Sequence, residues 1–232
     1  ELGYSLMQTL SFVVFYSVVL AITSPLAAAF CARYGVKHSI LFSMPFYIAY
    51  IVSLSLLRQF DIPLLVIGLF AGVGLSFYWI GMHILFHHAS HKKHRGEEMG
   101  KRGFFSVGGA LLSPLLGGVI IKYFGFTALF GVASIILFSS AVILFATKEN
   151  HIKYDFRVRS LLNKDHWKDA LYFTSTGSQV VADGVIWPLF IFVILNDYFS
   201  MGVIGSILSG TGAILMVLAG KYSDHIGKRK IV

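Results

Sequence analysis

Seven times along this chain an apolar stretch of about twenty residues runs almost without a charge. No other feature narrows the possible folds as much. A helical stretch of that length matches the roughly 30 Å hydrocarbon thickness of a bilayer. The stretches extend from Leu10 to Ala32, Ser39 to Leu57, Ile62 to Phe86, Gly103 to Ile121, Phe126 to Ala146, Ala170 to Leu195 and Met201 to Gly220. With 56% apolar and only 13% charged residues, against about 25% charged in an ordinary soluble domain, the chain could not hide its apolar surface in water. A barrel would show alternating segments of about ten residues, and the runs here are continuous and twice as long. Each run must be helical, because lipid offers the backbone no hydrogen-bond partners. The expected fold class is therefore all-α: a polytopic membrane protein with seven transmembrane helices. No basic segment precedes the first run, and its length suits a span rather than a cleaved signal.

The net charge of +8 is a matter of topology. Two basic residues (Arg33, Lys37) follow the first run, five lie between Lys92 and Arg102, six between Lys148 and Lys168, and four between Lys221 and Lys230. These 17 of the 19 Lys and Arg fall on one side if the seven runs alternate, and only Arg58 and Lys122 fall on the other. The bias marks the basic side as cytoplasmic. It also removes nucleic acid as the reason for the charge, so the partner implied is the lipid bilayer. The lone Cys31 permits no internal disulfide.

The last apolar run ends in Gly220-Lys221-Tyr222-Ser223-Asp224-His225-Ile226-Gly227-Lys228-Arg229-Lys230, which reads as a compact polar turn of the form Gly-x-x-x-Asp-x-x-Gly-Lys-Arg-Lys. A weaker copy lies 192 positions earlier, where Gly35 aligns with Gly227. Arg33, Gly35 and Lys37 keep the glycine and the basic residues, while Ala28 replaces the first glycine and Ala32 the aspartate. This pattern resembles the cytoplasmic loop motif of the major facilitator superfamily (MFS) of secondary transporters. The resemblance implies a twelve-helix fold of two homologous halves, with such loops after helices 2 and 8. The seven runs then correspond to helices 2 to 8. Residues 1–146 would be part of the N-terminal six-helix bundle, 147–169 the cytoplasmic linker, and 170–232 the start of the C-terminal bundle. A short interfacial helix is one reading of the linker, with Ile152, Phe156, Leu161, Leu162 and Trp167 as its apolar residues, and an irregular connector is the other.

Asp183 is the one acid well inside a predicted span. Ionised and facing lipid it would cost at least about 2.5 kcal/mol, so it is expected to face protein or a cavity. Gln179 and Trp187 lie four residues to either side and share its helical face. Gly184 and Pro188 follow, residues tolerated in a membrane helix where a neighbour or cavity satisfies the freed backbone. The functional reading makes Asp183 the binder of a proton or a cationic group, Gln179 a hydrogen-bonding neighbour and Trp187 an apolar or cation-π surface. The structural alternative is an aspartate bonded to an adjacent helix. Tyr78, Trp79 and His83 in the third run are expected to line the same pathway, the imidazole being able to titrate near neutral pH.

Beyond His83 come His87, His88, His91 and His94, with positions 83, 87, 91 and 94 on one helical face if the helix continues. The spacing His88-x-x-His91-x-x-His94 superficially resembles the histidine boxes of membrane di-iron enzymes. Those need several boxes, and the remaining histidines here are isolated, so the tract reads as a cationic helix end; no metal and no cofactor are expected. Gly100, just before the fourth run, and Gly109, Ser113, Pro114, Gly117 and Gly118 within it are similar to the helix-5 motif of the antiporter branch, with Ser113 replacing one glycine. Glycines there permit close helix approach, and Pro114 bends the helix. The resemblance implies a like contact for Gly202, Gly205, Gly210 and Gly212 in helix 8. The family's helix-4 arginine motif is not recognisable between Leu64 and Gly81, no nucleotide-binding loop is present, and no protease nucleophile motif lies in a span.

The function expected from the resemblance is secondary active transport of a small solute by alternating access, proton-coupled, with export favoured over import. The alternative is a transporter-derived membrane scaffold or sensor without transport activity. An enzyme is not expected, the substrate stays open, and the complete protein is expected to be a monomer in the cell membrane.

Overall fold

The computed structural model describes residues 4–57, 59–89, 95–146, 156 and 167–226. Those residues form helices and short connections, with no strand among them. In chain order the elements are α1 (Leu6–Tyr34), α2 (Val36–Leu56), α3 (Leu64–Ala89), α4 (Arg95–Ala146), α5 (Trp167–Val181), a π-helical turn (Ala182–Ile186), α6 (Trp187–Leu195) and α7 (Tyr198–Ile226). Among the described residues five stretches are long and apolar enough to cross a membrane: Leu6–Tyr34, Val36–Leu56, Leu64–His87, Leu111–Ala146 and Thr174–Leu195. The fourth contains two of the expected runs. Its 36 residues would extend roughly 54 Å as one straight helix, far beyond a bilayer. The helix is broken at Gly125 (φ 78°, ψ 176°). A Cβ on Gly117 would lie 3.8 Å from Leu129 Cδ1, a contact that twelve residues of straight helix could not make, so the chain doubles back there. The seventh expected run is helical throughout, inside α7.

Helix ends follow from side chains and backbone preference. Ser5 caps α1 in a reciprocal box: Gln8 donates its N–H to Ser5 Oγ (3.2 Å), and Ser5 donates its own N–H to Gln8 Oε1 (2.8 Å). Gly35 alone joins α1 to α2. At φ 100° and ψ 155° it closes one helix by donating its N–H to the Cys31 carbonyl (3.0 Å) and opens the next. That conformation is essentially restricted to glycine. Gly125 makes the same one-residue joint inside α4. Pro63 delays α3 to Leu64, two residues after the expected start at Ile62.

Asp197 caps α7. Ser200 donates both its hydroxyl (2.5 Å) and its N–H (2.7 Å) to Asp197 Oδ2. The hydroxyl bond first and the N–H bond next, with the Lys122 charge further off, hold the carboxyl below the usual aspartate range. Leu6 and Tyr198, the first residues of α1 and α7, are 192 positions apart, as are the caps Ser5 and Asp197 with their partners Gln8 and Ser200. The repeat visible in the polar motif therefore reaches back to the N-terminal cap of the helix that precedes it.

The chain forms two compact units, Glu1–Ala89 with Phe130–Leu162, and Ser90–Leu129 with Asn163–Val232. In the first, α3 packs between α1 and α2 through its glycines. A Cβ on Gly72 would lie 2.7 Å from the Tyr16 carbonyl oxygen, and one on Gly81 would lie 2.7 Å from Ile40 Cγ1. Thr23 Oγ1 donates to Ser76 Oγ (2.8 Å), and Ser39 Oγ donates to the Phe77 carbonyl (3.0 Å). Small residues at the contact and hydroxyls across it are how helices associate where lipid is as apolar as the core. The outward side of α1 shows the other half of that logic: Val14, Val18, Ile22 and Leu26, four residues apart, are 63%, 50%, 67% and 61% exposed. These large side chains are exposed while Ala27, Ala28 and Cys31 are buried. Lys37 at the start of α2 reaches the Phe145 carbonyl at the end of α4 (3.0 Å), a cation on a helix C-terminus.

In the second unit the first arm of α4 meets α7 backbone to backbone. Gly118 is buried, and a Cβ there would lie 2.9 Å from the Tyr198 carbonyl oxygen. Gly202 approaches the Pro114 carbonyl, and Gly205 the Pro114 ring. Tyr198 stacks on Phe192 (4.9 Å) and meets Phe126 edge-on (5.5 Å), while Lys122 Nζ sits 5.1 Å from the Phe199 ring centroid. Ser206 Oγ is buried in α7 without a hydrogen-bond partner.

Candidate functional site

The sixth apolar run is helical, but not as one α-helix. α5 gives way at Ala182 to a π-helical turn that holds Asp183 and Gly184, and α6 resumes at Trp187 with Pro188 in its first turn. The Trp187 N–H donates to the Ala182 carbonyl, five residues back. A continuous α-helix would have paired it with Asp183. One extra residue is thus accommodated in the turn, which moves Trp187 and everything after it out of the register that a strict four-residue spacing assumes. Proline is the local cause: position 188 supplies no N–H, so the preceding turn is free to widen.

Gln179, Asp183 and Trp187 are all exposed, Trp187 at 48%. The Trp187 ring stacks on Phe190 at 5.5 Å and 22°. Nothing lies within 4 Å of where a Cβ on Gly184 would be. The hydroxyls of Thr176 and Ser178 donate back to the Tyr172 and Thr174 carbonyls (3.0 and 3.1 Å). They are satisfied within the helix, and Gln179 and Asp183 are exposed polar groups beyond them.

The second expected trio lies in the other unit, on α3. Tyr78 and Trp79 meet edge-on (5.4 Å), and Trp79 stacks on His83 (5.7 Å, 29°). Tyr47 of α2 extends the row by an edge contact with Tyr78 at 5.8 Å, a member that sequence reading did not include. Tyr78 packs on the cluster of Val36, Ile40 and Met44, so one end of the row is anchored while Trp79 and His83 are exposed. The structure sets Tyr78, Trp79 and His83 in one row, whereas Gln179, Asp183 and Trp187 follow one another along a helical segment whose register shifts at the π-helical turn.

α3 is described to Ala89; His91, His94 and the side chain of His88 lie outside the described residues, and with them the expected face. Among the described residues no three His, Cys, Asp or Glu stand close enough to hold a metal.

The motif loops also differ from a simple turn. Gly220 to Ile226 continue α7 as helix, because nothing in Lys-Tyr-Ser-Asp-His-Ile breaks one. The side chain of Asp224 and all of Gly227, Lys228 and Arg229 lie outside the described residues. In the earlier copy Arg33 occupies the last turn of α1, its guanidinium 5.4 Å from the Tyr34 ring, and Gly35 is the joint. Of the expected packing residues, Pro114 and Gly118 touch α7, Gly117 faces Leu129, and Gly109 has nothing within 4 Å. The linker 147–169 lies outside the described residues apart from Phe156 and the first turn of α5, which begins at Trp167 rather than Ala170.

The family model of the Major Facilitator Superfamily matches residues 1–232. The chain belongs to the major facilitator superfamily. This MFS chain is 29% identical over 161 residues to an uncharacterized MFS-type transporter, YuxJ, of Bacillus subtilis (61% of this chain, 40% of the relative). It is 28% identical over 154 residues to the multidrug resistance protein MdtG of Proteus mirabilis (60% of this chain, 38% of the relative). A match to YqgE of Bacillus subtilis, an uncharacterized protein, is 23% identical over 184 residues (73% of this chain, 41% of the relative). The chain spans about two fifths of the length of the curated relatives it matches. No solved structure matches it. For an MFS chain the all-helical fold, the apolar spans and the repeated polar motif are the expected signature, and the protein is a multi-pass membrane protein.

Proposed function

We propose that the complete protein is a secondary active transporter that moves a small solute by alternating access, coupled to protons, with export favoured over import. The observation that carries the reading is the π-helical turn at Asp183, an acid held within an apolar span by a widened helix. Such turns cluster at functional sites, and an acid at that depth is costly unless it has a task. Asp183 takes up and releases the coupling proton or a cationic group of the solute, Gln179 hydrogen-bonds beside it, and Trp187 flanks it. Tyr78, Trp79 and His83 line the pathway. Export draws support from the likeness to a multidrug resistance protein and from the Pro114-x-x-Gly117-Gly118 pattern.

On this reading residues 1–146 belong to the N-terminal bundle, 147–169 are the linker and 170–232 begin the C-terminal bundle. The motif loops and linker face the cytoplasm across the cell membrane, and Gly220, Asp224, Gly227, Lys228 and Arg229 with Arg33 and Gly35 form the cytoplasmic gate. The protein works as a monomer and catalyses no reaction. The test is Asp183→Asn in the complete protein, reconstituted in proteoliposomes with an imposed pH gradient. Gradient-driven flux should fall at least about tenfold while insertion stays intact. Undiminished flux would take Asp183 out of the mechanism and favour a scaffold or sensor.

A further inference from the structure

We propose that the widened turn is a binding site for a protonated amine that keeps its N–H donors, held jointly by the carboxylate and the backbone carbonyl of Asp183. The inference rests on the reading of Asp183 as a substrate-binding acid and adds the ligand's chemistry. It follows from the hydrogen-bond register. The Trp187 N–H is committed to the Ala182 carbonyl. The next carbonyl, that of Asp183, would need either that same N–H or one at position 188. Position 188 is proline and has none. The α-helical partner of the Gly184 carbonyl is again position 188. One proline therefore deprives the acid's own carbonyl, and in α register its neighbour's, of a helical donor within an apolar span, where water is scarce.

The surroundings allow a ligand to reach these oxygens. Gly184 presents no side chain, and the space where its Cβ would be is open. The stacked, half-exposed rings of Trp187 and Phe190 supply an apolar flank on the same segment. An anion would be repelled by the carboxylate. A bare divalent cation takes six to eight oxygens, more than this turn offers. A quaternary ammonium would satisfy the charge but leave the carbonyl unpaired. A primary or secondary ammonium on an apolar body satisfies the charge, the carbonyl and the rings at once.

The test is equilibrium binding of tritiated benzylammonium and benzyltrimethylammonium to the complete protein in lipid nanodiscs. Benzylammonium should bind about tenfold or more the tighter, the effect of a charge-assisted hydrogen bond. Pro188→Ala supplies the missing N–H and should bring that ratio to within about twofold of unity, while Asp183→Asn should weaken both cations by about tenfold. Equal affinities in the wild type, no benzylammonium binding, or a ratio that Pro188→Ala leaves unchanged would overturn the proposal. Equal affinities that both collapse in Asp183→Asn would overturn only the requirement for N–H donors and leave the acid in its proposed role. Indifference of both cations to Asp183→Asn would remove the two readings together.

Discussion

Replacing Gly202 by alanine adds one methyl group where α7 crosses the first arm of α4. The new Cβ would lie 2.5 Å from the Pro114 carbonyl oxygen, 3.1 Å from its carbon and 3.5 Å from Leu115 Cα. Carbon and carbonyl oxygen normally rest about 3.3–3.6 Å apart, so the helices must separate by roughly 1 Å. Every atom met is backbone, and no rotamer change relieves the clash. Overpacking of this kind costs about 1–3 kcal/mol. Gly212 on the same helix has nothing within 4 Å, so Gly212→Ala should be neutral or stabilise by about 0.5–1 kcal/mol through helix propensity alone. Denaturant-induced unfolding of the complete protein in mixed micelles, followed by tryptophan fluorescence, compares the two. If Gly202→Ala proves as benign as Gly212→Ala, α7 and α4 do not meet through their backbones and the contact described above is wrong.

Gly35→Ala should destabilise by about 1–3 kcal/mol in the same assay, because φ 100° with ψ 155° is open to glycine alone; an unchanged midpoint would mean that the joint tolerates other geometry. Ser206→Ala should be neutral or stabilising, since it removes a buried hydroxyl that has no partner, and a loss above about 1 kcal/mol would reveal one. The folded state holds the Asp197 carboxyl below its ordinary value. Its contribution is therefore complete above the unfolded value and is lost as pH falls through the lower, folded one. Wild-type stability should drop in that acidic window relative to Asp197→Asn, whereas parallel profiles would show that the Ser200 bonds do not favour the ionised form.

How far the sequence discloses this molecule depends on which property is asked for. Helix positions were legible because length and apolarity alone decide them, and each of the seven runs is helical to within a residue or two of its ends. Which face of each helix turns inward was not. In water, an inward stripe differs from an outward one in polarity; on α1, Val14 and Val18 face out and Val13 and Ala27 face in, all of them apolar. Inward contact is made through the glycines of α3 and the hydroxyls of Thr23, Ser39 and Ser76, and no apolar periodicity records it. Asp183 stood out as an acid in a span, and Pro188 hinted at disturbed backbone. The widened register did not follow, since proline is equally compatible with a kink. Gly125 escaped notice because one glycine between apolar runs resembles many others here. The 192-residue echo was legible in Gly35 and Gly227, but its reach to Ser5 and Asp197 was hidden, as serine and aspartate cap helices by the same device with different atoms.

A joint one residue long has no slack. At Gly35 the last turn of α1 and the first of α2 share a single pivot, and a residue's reach of about 3.6 Å limits how far one can travel before the other must follow. The two helices therefore behave as a hinged bracket rather than as separate rods. Lys37, seated on the carbonyl end of α4 beside that pivot, extends the bracket to a third arm. A displacement sensed by any one of the three would be felt at the common corner, and a reporter placed there would register all of them.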